Sequence, residues 1–340
     1  MGSPVSEIAG AAEKMSDLEA ELLNAIQALD TCVWRKGVDK PTIEQWLKEF
    51  GTDGKPGTPG RLHALYLLSR FMYFGEEQVR ALLRALYRDH FRYPIVAEIR
   101  RRAGDTRDED VLRAGFDLAL SRTRFLAMGN PSESGTHLLY HYRQENELTS
   151  KHFINPHEIF DLTQKEPVLA NPEITRYVFI DDFCGSGIQG VRYSRALMQR
   201  ITGAAEQAGV KPRIEYHVLV GTTKGLQRVR TEAKFDDIAC VLELDETFRA
   251  FSESSRYFRN PSGGIDREIA HALARRYGEE LSPDEALGFE NGQLMLAFVH
   301  NTPNNTLPIF WHPGHAKRTW YPIFRRYDKL TTPVWPVRST

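Results

Sequence analysis

Apolar positions in the first third of the chain recur every three to four residues, a period that predicts a run of helices. SDLEAELLNAIQAL (16–29) carries that spacing, with Ser16 placed to cap its start and Glu19 three residues on. PTIEQWLKEF (41–50) predicts a second helix with Pro41 in its first turn. GTDGKPGTPG (51–60) interrupts the pattern with turn-forming residues. RLHALYLLSRFMYF (61–74) and EEQVRALLRALYRDHF (76–91) then predict two apolar helices either side of Gly75, with Pro94 ending or kinking the second. DEDVLRAGFDLALSRT (108–123) predicts one more.

Beyond about residue 125 the period shortens. HLLYHYR (137–143), RYVFIDD (176–182), RIEYHVLVG (213–221), DIACVLELD (237–245) and QLMLAFVHN (293–301) read as strands. GVRYSRALMQRITGAAEQAG and REIAHALARRYG read as helices between them. Strands alternating with helices predict an α/β fold built on a mostly parallel sheet. The expected division is a flexible tail over 1–15, a helical region over 16–125 and an α/β domain over 126–332.

Composition narrows the class. Hydrophobic residues make up 41% of the 340 positions and charged residues 26%, enough apolar material for a large core. The net charge of −1 gives no global electrostatic case for nucleic-acid binding. Three widely spaced cysteines argue against a disulfide framework or a cysteine zinc site and predict a cytoplasmic protein. No apolar run approaches the length of a membrane span, and MGSPVSEIAGAAEK lacks a secretory pattern.

The stretch VFIDDFCGSGIQG (178–190) carries the most chemistry. A strand runs into Asp181 and Asp182, then into a Gly-Ser-Gly turn that opens a helix. Carboxylates at that place suit ribose hydroxyls or Mg²⁺. Gly185, Ser186, Gly187, Ile188 and Gln189 would offer main-chain N–H groups and a helix N-terminus to a phosphate. S-adenosylmethionine is the competing ligand, because methyltransferase loops of the form D-P-F-C-G-S-G differ by one residue. Two features weigh against it: the next strand ends Val220-Gly221-Thr222-Thr223 without an acid for the adenosine ribose, and the chain has no Pro-Pro pair. An ordinary structural loop is the third reading.

The same stretch resembles the signature loop of type I phosphoribosyltransferases. MGNPSESGTHLLYHYRQEN (128–146), FVHNTPNNTLPIFW (298–311) and ALYLLSRFMYFGEEQVRALLRALYR (64–88) are similar to PRTase-CE proteins, a phosphoribosyltransferase-like group linked to biological conflict. The resemblance implies a type I phosphoribosyltransferase sheet, with Asp181 and Asp182 on the ribose of phosphoribosyl pyrophosphate or a nucleotide and residues 185–189 around its 5′-phosphate. It implies Mg²⁺ as cofactor, held at Asp181 and Asp182, and a role in bacterial defence against phage with protein partners from the same system. Gln189 departs from the usual threonine, which leaves open a catalytically inactive nucleotide sensor.

Further candidates follow from position. Ser134 and Gly135 would donate to pyrophosphate and Arg143 would supply charge there; an ordinary turn and a surface ion pair are the alternatives. Lys224, in the loop after the next strand, could approach a phosphate or stay solvated. Asn304 and Asn305 could read a base edge and Trp311 could stack on it; turn chemistry and core packing are their plainer roles. Cys184 is expected to be a small buried thiol. His312 and His315 lack a third metal ligand at a usual spacing. The N-terminal helices allow a DNA reader but concentrate no positive charge.

Overall fold

The structure is a computed structural model that describes residues 4–35, 38–129, 135–164, 166–261 and 263–326. Helix α1 (Pro4–Leu29) takes in most of the segment read as a tail and carries Ser16 inside it, not at its cap. Helix α2 (Lys40–Lys48) starts from Asp39, whose carboxylate accepts the Thr42 N–H. Helix α3 (Pro59–Ser69) starts from Thr58 and is buried along nearly its whole length. The helix expected to continue through MYF stops there. Met72–Phe74 is a strand, β1. Helix α4 (Glu76–Ala85) passes through a π-helical stretch, Leu86–Arg92, into α5 (Tyr93–Arg102). Pro94 is the second residue of α5, and the π stretch just before it takes up the irregularity. Helix α6 (Glu109–Ser121) precedes β2 (Thr123–Ala127).

One strand expectation is overturned. HLLYHYR lies within α7 (Gly135–Glu145). Leu138 and Tyr142, four residues apart, are both buried on one helical face, and a seven-residue run fits either period. The alternating part of the fold then follows: β3 (Arg176–Cys184), α8 (Ile188–Gln207), β4 (Arg213–Thr222), α9 (Thr223–Glu232) and β5 (Asp237–Leu244). Helix α10 (Arg267–Leu281) packs on the N-terminal helices. The strand expected over 293–301 shrinks to β6 (Leu296–Phe298), and residues 308–311 form a single helical turn, α11 (Pro308–Trp311).

The central sheet is parallel, in the order β2-β3-β4-β5, with Phe179 opposite Tyr216 and Val218 opposite Cys240. β4 is buried from Ile214 to Gly221, as expected of a parallel strand covered on both faces. One face carries Met198 and Ile201 of α8 with Leu226 and Val229 of α9. The other carries Val79 and Leu83 of α4, Phe91, Phe116 of α6, and Leu138 and Tyr142 of α7.

A further core joins the two ends of the chain. Leu22, Ile26, Trp46, Leu65 and Leu68 pack with Leu273, Tyr277, Ile309, Phe310 and Phe324. β1 pairs in parallel with β6, Tyr73 opposite Ala297. The Trp46 indole N–H donates to the Ile309 carbonyl at 2.8 Å. His63 donates from Nδ1 to Pro59 O at 2.6 Å and accepts the Asp266 N–H on Nε2 at 2.8 Å; burial lowers its pKa, in keeping with a neutral ring. Arg61, almost fully buried, is satisfied by Glu19 at 2.7 Å and Glu44 at 2.5 Å, binding α1, α2 and α3 together.

The N-terminal helices therefore share their core with residues 250–324. A fragment of residues 1–125 should show no cooperative unfolding transition by circular dichroism, and a cooperative one would mean that the region folds alone. In the full chain, Trp46→Ala should cost about 3–5 kcal/mol in urea unfolding.

Candidate functional site

β3 delivers the acidic pair and α8 begins just beyond it. Strand pairing continues past the aspartates, with Phe183 opposite Val220 and Cys184 opposite Gly221. Gly187 has φ +76° and precedes the first turn of α8, a conformation that a side chain would strain. The turn is held by close backbone contact with α9. A Cβ on Gly225 would lie 2.0 Å from the Gly185 carbonyl oxygen, and one on Gly187 would lie 2.5 Å from that of Gly225.

Side chains secure the same turn. The Thr222 hydroxyl donates to Gly185 O at 2.6 Å and accepts the Gly225 N–H at 2.9 Å, capping α9. Arg228 donates to Ser186 O at 2.6 Å and pairs with Glu290 at 3.1 Å. The carbonyls of Gly185 and Ser186 thus point toward α9. No acceptor among the described residues takes the N–H of Ser186 or Gly187. Those two amides stand at the N-terminus of a 20-residue helix, where the helix dipole favours negative charge. Ile188 opens the helix with its N–H 3.4 Å from Ser186 Oγ, and Gln189 is exposed.

The acids are engaged inside the protein. The Tyr216 hydroxyl donates to Asp181 Oδ2 at 2.7 Å. Burial raises the Asp181 pKa well above the ordinary aspartate range, and the adjacent Asp182 carboxylate raises it further. Burial and Asp181 likewise keep the Tyr216 phenol protonated. Asp182 pairs with His300 Nε2 at 2.5 Å, both side chains mostly buried. His300 lines a cleft of about 300 Å³ with Glu76, Val79 and Arg80 of α4, His137, Leu138 and His141 of α7, and Val299. Neither aspartate lines that cleft directly; Asp182 reaches it through His300. Burial pushes the Cys184 thiol up to about 12, so this cysteine is no nucleophile.

The remaining sequence candidates lie elsewhere. Asn305 is buried, donates to Phe289 O at 3.0 Å, and lays its Oδ1 where a Cβ on Gly185 would be, 2.0 Å away. It buttresses the loop. Asn304 accepts the Phe289 N–H on its main-chain carbonyl. Trp311 is buried, with its indole N–H on Thr306 O at 2.8 Å. Both ends of that ring are committed to packing. Lys224 is exposed and pairs with Glu290 at 3.2 Å. Arg143 lies over the Tyr140 ring on α7 and is not among the residues lining the cleft. Gly135 is the first residue of α7, while Ser134 lies outside the described residues. His312 and His315 bond separately, to the Gly314 N–H and the Glu280 carbonyl, and among the described residues no cluster of three His, Cys, Asp or Glu side chains could hold a metal.

Sequence reasoning missed Tyr216, His300, Thr222, Arg228 and Glu290. The three that hold the turn from outside it, Thr222, Arg228 and Glu290, carry no motif. His300 is 118 residues from its partner. The only sequence signal was that Thr222 follows one strand-like run and His300 lies near the end of another.

A parallel α/β sheet with an acidic strand end and a glycine-turned helix start is consistent with a phosphoribosyltransferase-like fold. The chain belongs to the PRTase-CE family, whose family model matches residues 43–326. No curated protein matches it.

The raised Asp181 pKa has a direct consequence. The folded protein holds a proton there at pH values where an unfolded aspartate has lost it, so its contribution to stability falls as pH rises above about 4. Wild type should therefore lose stability relative to Asp181→Asn as pH rises above about 5 in ligand-free urea unfolding. Parallel pH dependences would show that this carboxyl ionises in the fold as it does in water.

Proposed function

We propose that the loop over 181–190 binds the phosphoribosyl group of phosphoribosyl pyrophosphate or a related nucleotide, and that the protein transfers it. The observation that carries this reading is the division of the turn's polar groups: the Gly185 and Ser186 carbonyls are tethered to α9, leaving the Ser186 and Gly187 amides for a 5′-phosphate. Asp181 and Asp182 stand near the end of β3, a few residues before that cradle, where the ribose hydroxyls would lie. A carboxylate has about four acceptor positions, so Asp182 can keep His300 and still accept a hydroxyl. Methyltransferase chemistry finds less support, since β4 ends in Thr222, which caps α9, instead of in an acid.

The reaction would be displacement at the anomeric carbon, with pyrophosphate leaving. Rate acceleration would come from holding donor and acceptor in line and from fixed dipoles around the phosphate. The metal role expected for Asp181 and Asp182 does not fit their surroundings: Asp181 favours its protonated form and Asp182 already pairs with His300. In this reading Mg²⁺ arrives on the donor's own pyrophosphate oxygens and water, the way that ion commonly enters phosphate sites. A role in defence against phage, with partners from the same system, is the setting that family membership suggests.

A second reading is a nucleotide sensor without turnover. The internal engagement of both aspartates and the exposed Gln189 favour it. Purified protein incubated with labelled phosphoribosyl pyrophosphate, Mg²⁺ and a mixture of nucleobases decides between them. Transferase function predicts pyrophosphate release that disappears in the Asp181→Asn, Asp182→Asn double variant. A rise in melting temperature with nucleotide but no release supports the sensor, and a rise with S-adenosylmethionine instead refutes both.

A further inference from the structure

The cleft beside Asp182 has a chemistry that donor binding does not use. Its walls are apolar: Val79 on α4, Leu138 on α7, and Val299 after β6. Its edges carry Glu76, Arg80, His137, His141 and His300. Apolar faces with polar edges match a flat nitrogen heterocycle, and about 300 Å³ is at the small end of ligand pockets, suited to one such ring. The polar groups are arranged, not scattered. Arg80 is fixed between Glu76 at 2.8 Å and Glu145 at 2.6 Å. His137 and His141 bring their Nε2 atoms to 3.0 Å, so one donates to the other. Burial first, then Arg80 and His137, lower the His141 pKa, which keeps that ring neutral.

His300 joins this cleft to the donor loop. Its Nε2 lies against Asp182, in the strand that leads into the phosphate cradle, and its ring stacks on Phe298. A carboxylate on one imidazole nitrogen fixes the tautomer and frees the other nitrogen to take a proton. With Nε2–H donating to Asp182, Nδ1 is the basic atom. The charged and titratable groups around His300 are Asp182 from β3, Glu76 and Arg80 from α4, and His137 and His141 from α7.

Resting on the phosphoribosyl reading above, we propose that this cleft is the acceptor site, that it takes a nitrogen heterocycle of nucleobase type, and that His300, oriented by Asp182, is the general base. The heterocycle's ring N–H proton passes to His300 Nδ1. The nitrogen lone pair bonds to the anomeric carbon. The bond from that carbon to pyrophosphate oxygen breaks, and pyrophosphate leaves with the electron pair.

The test uses the full chain with labelled phosphoribosyl pyrophosphate, Mg²⁺ and adenine, guanine, hypoxanthine or uracil supplied singly. The proposal expects label on one of these bases. His300→Gln should then lower kcat by about 100-fold, the low end for loss of a general base, while keeping a donor-dependent rise in melting temperature. Leu138→Phe, which fills the cleft without touching the His300–Asp182 pair, should raise KM for the base far more than for the donor. Wild-type kcat in His300→Gln overturns the proposal. So does release of free labelled ribose 5-phosphate from every mixture, which makes water the nucleophile. A donor-dependent melting shift with no transfer to any base sinks this proposal and spares the donor site; absence of that shift sinks the donor reading itself.

Discussion

The close approach of two backbone segments governs the candidate site. Gly225 packs so closely on the Gly185 carbonyl that it has no room for a side chain, and the Thr222 hydroxyl bonds to both sides of the contact. That contact turns the carbonyls of the loop toward α9, while the amides at the start of α8 take no acceptor among the described residues. Without it the acidic strand end and the helix N-terminus would still be adjacent in sequence, but the turn between them would have no fixed shape. Preorganised N–H groups favour an anion because they need not reorganise when it arrives.

The rest of the fold brings distant segments to this turn. β1 pairs with β6, which sets Val299 and His300 beside α4 and α7. Asn305, from the same C-terminal stretch, presses on Gly185. Both segments are anchored by the core that residues 18–73 share with residues 250–324. The N-terminal helices therefore support the site indirectly, by fixing the stretch that carries His300 and Asn305. Helices near the start of the chain and a stretch near its end thus build one core although they are distant in sequence.

The central βαβ run was legible because its strands are buried on both faces and so appear as unbroken apolar runs, and because Gly185 and Gly187 mark a turn that few other residues allow. The failures share a cause. HLLYHYR satisfies two periods over seven residues, and burial of Leu138 with Tyr142 decided for the helix. Met72–Phe74 is too short to show any period and pairs with a strand more than 200 residues away. QLMLAFVHN lost its first residues as strand because Glu290, Asn291 and Gln293 all adopt positive φ, which no apolar pattern announces. At the site, the aspartates and glycines declared themselves as a motif. Tyr216 was hidden inside a core strand, His300 is a lone histidine in a turn, and Asn305 and Trp311 carried ligand-like chemistry that the core absorbed.

The central claim is that the start of α8 grips a sugar phosphate. A crystal structure of the protein with ribose 5-phosphate measures this most directly. The account predicts the phosphate within hydrogen-bonding distance of the Ser186 and Gly187 amides, with ribose hydroxyls toward Asp181 and Asp182. A phosphate bound at any other place, with those amides facing only solvent, would contradict it.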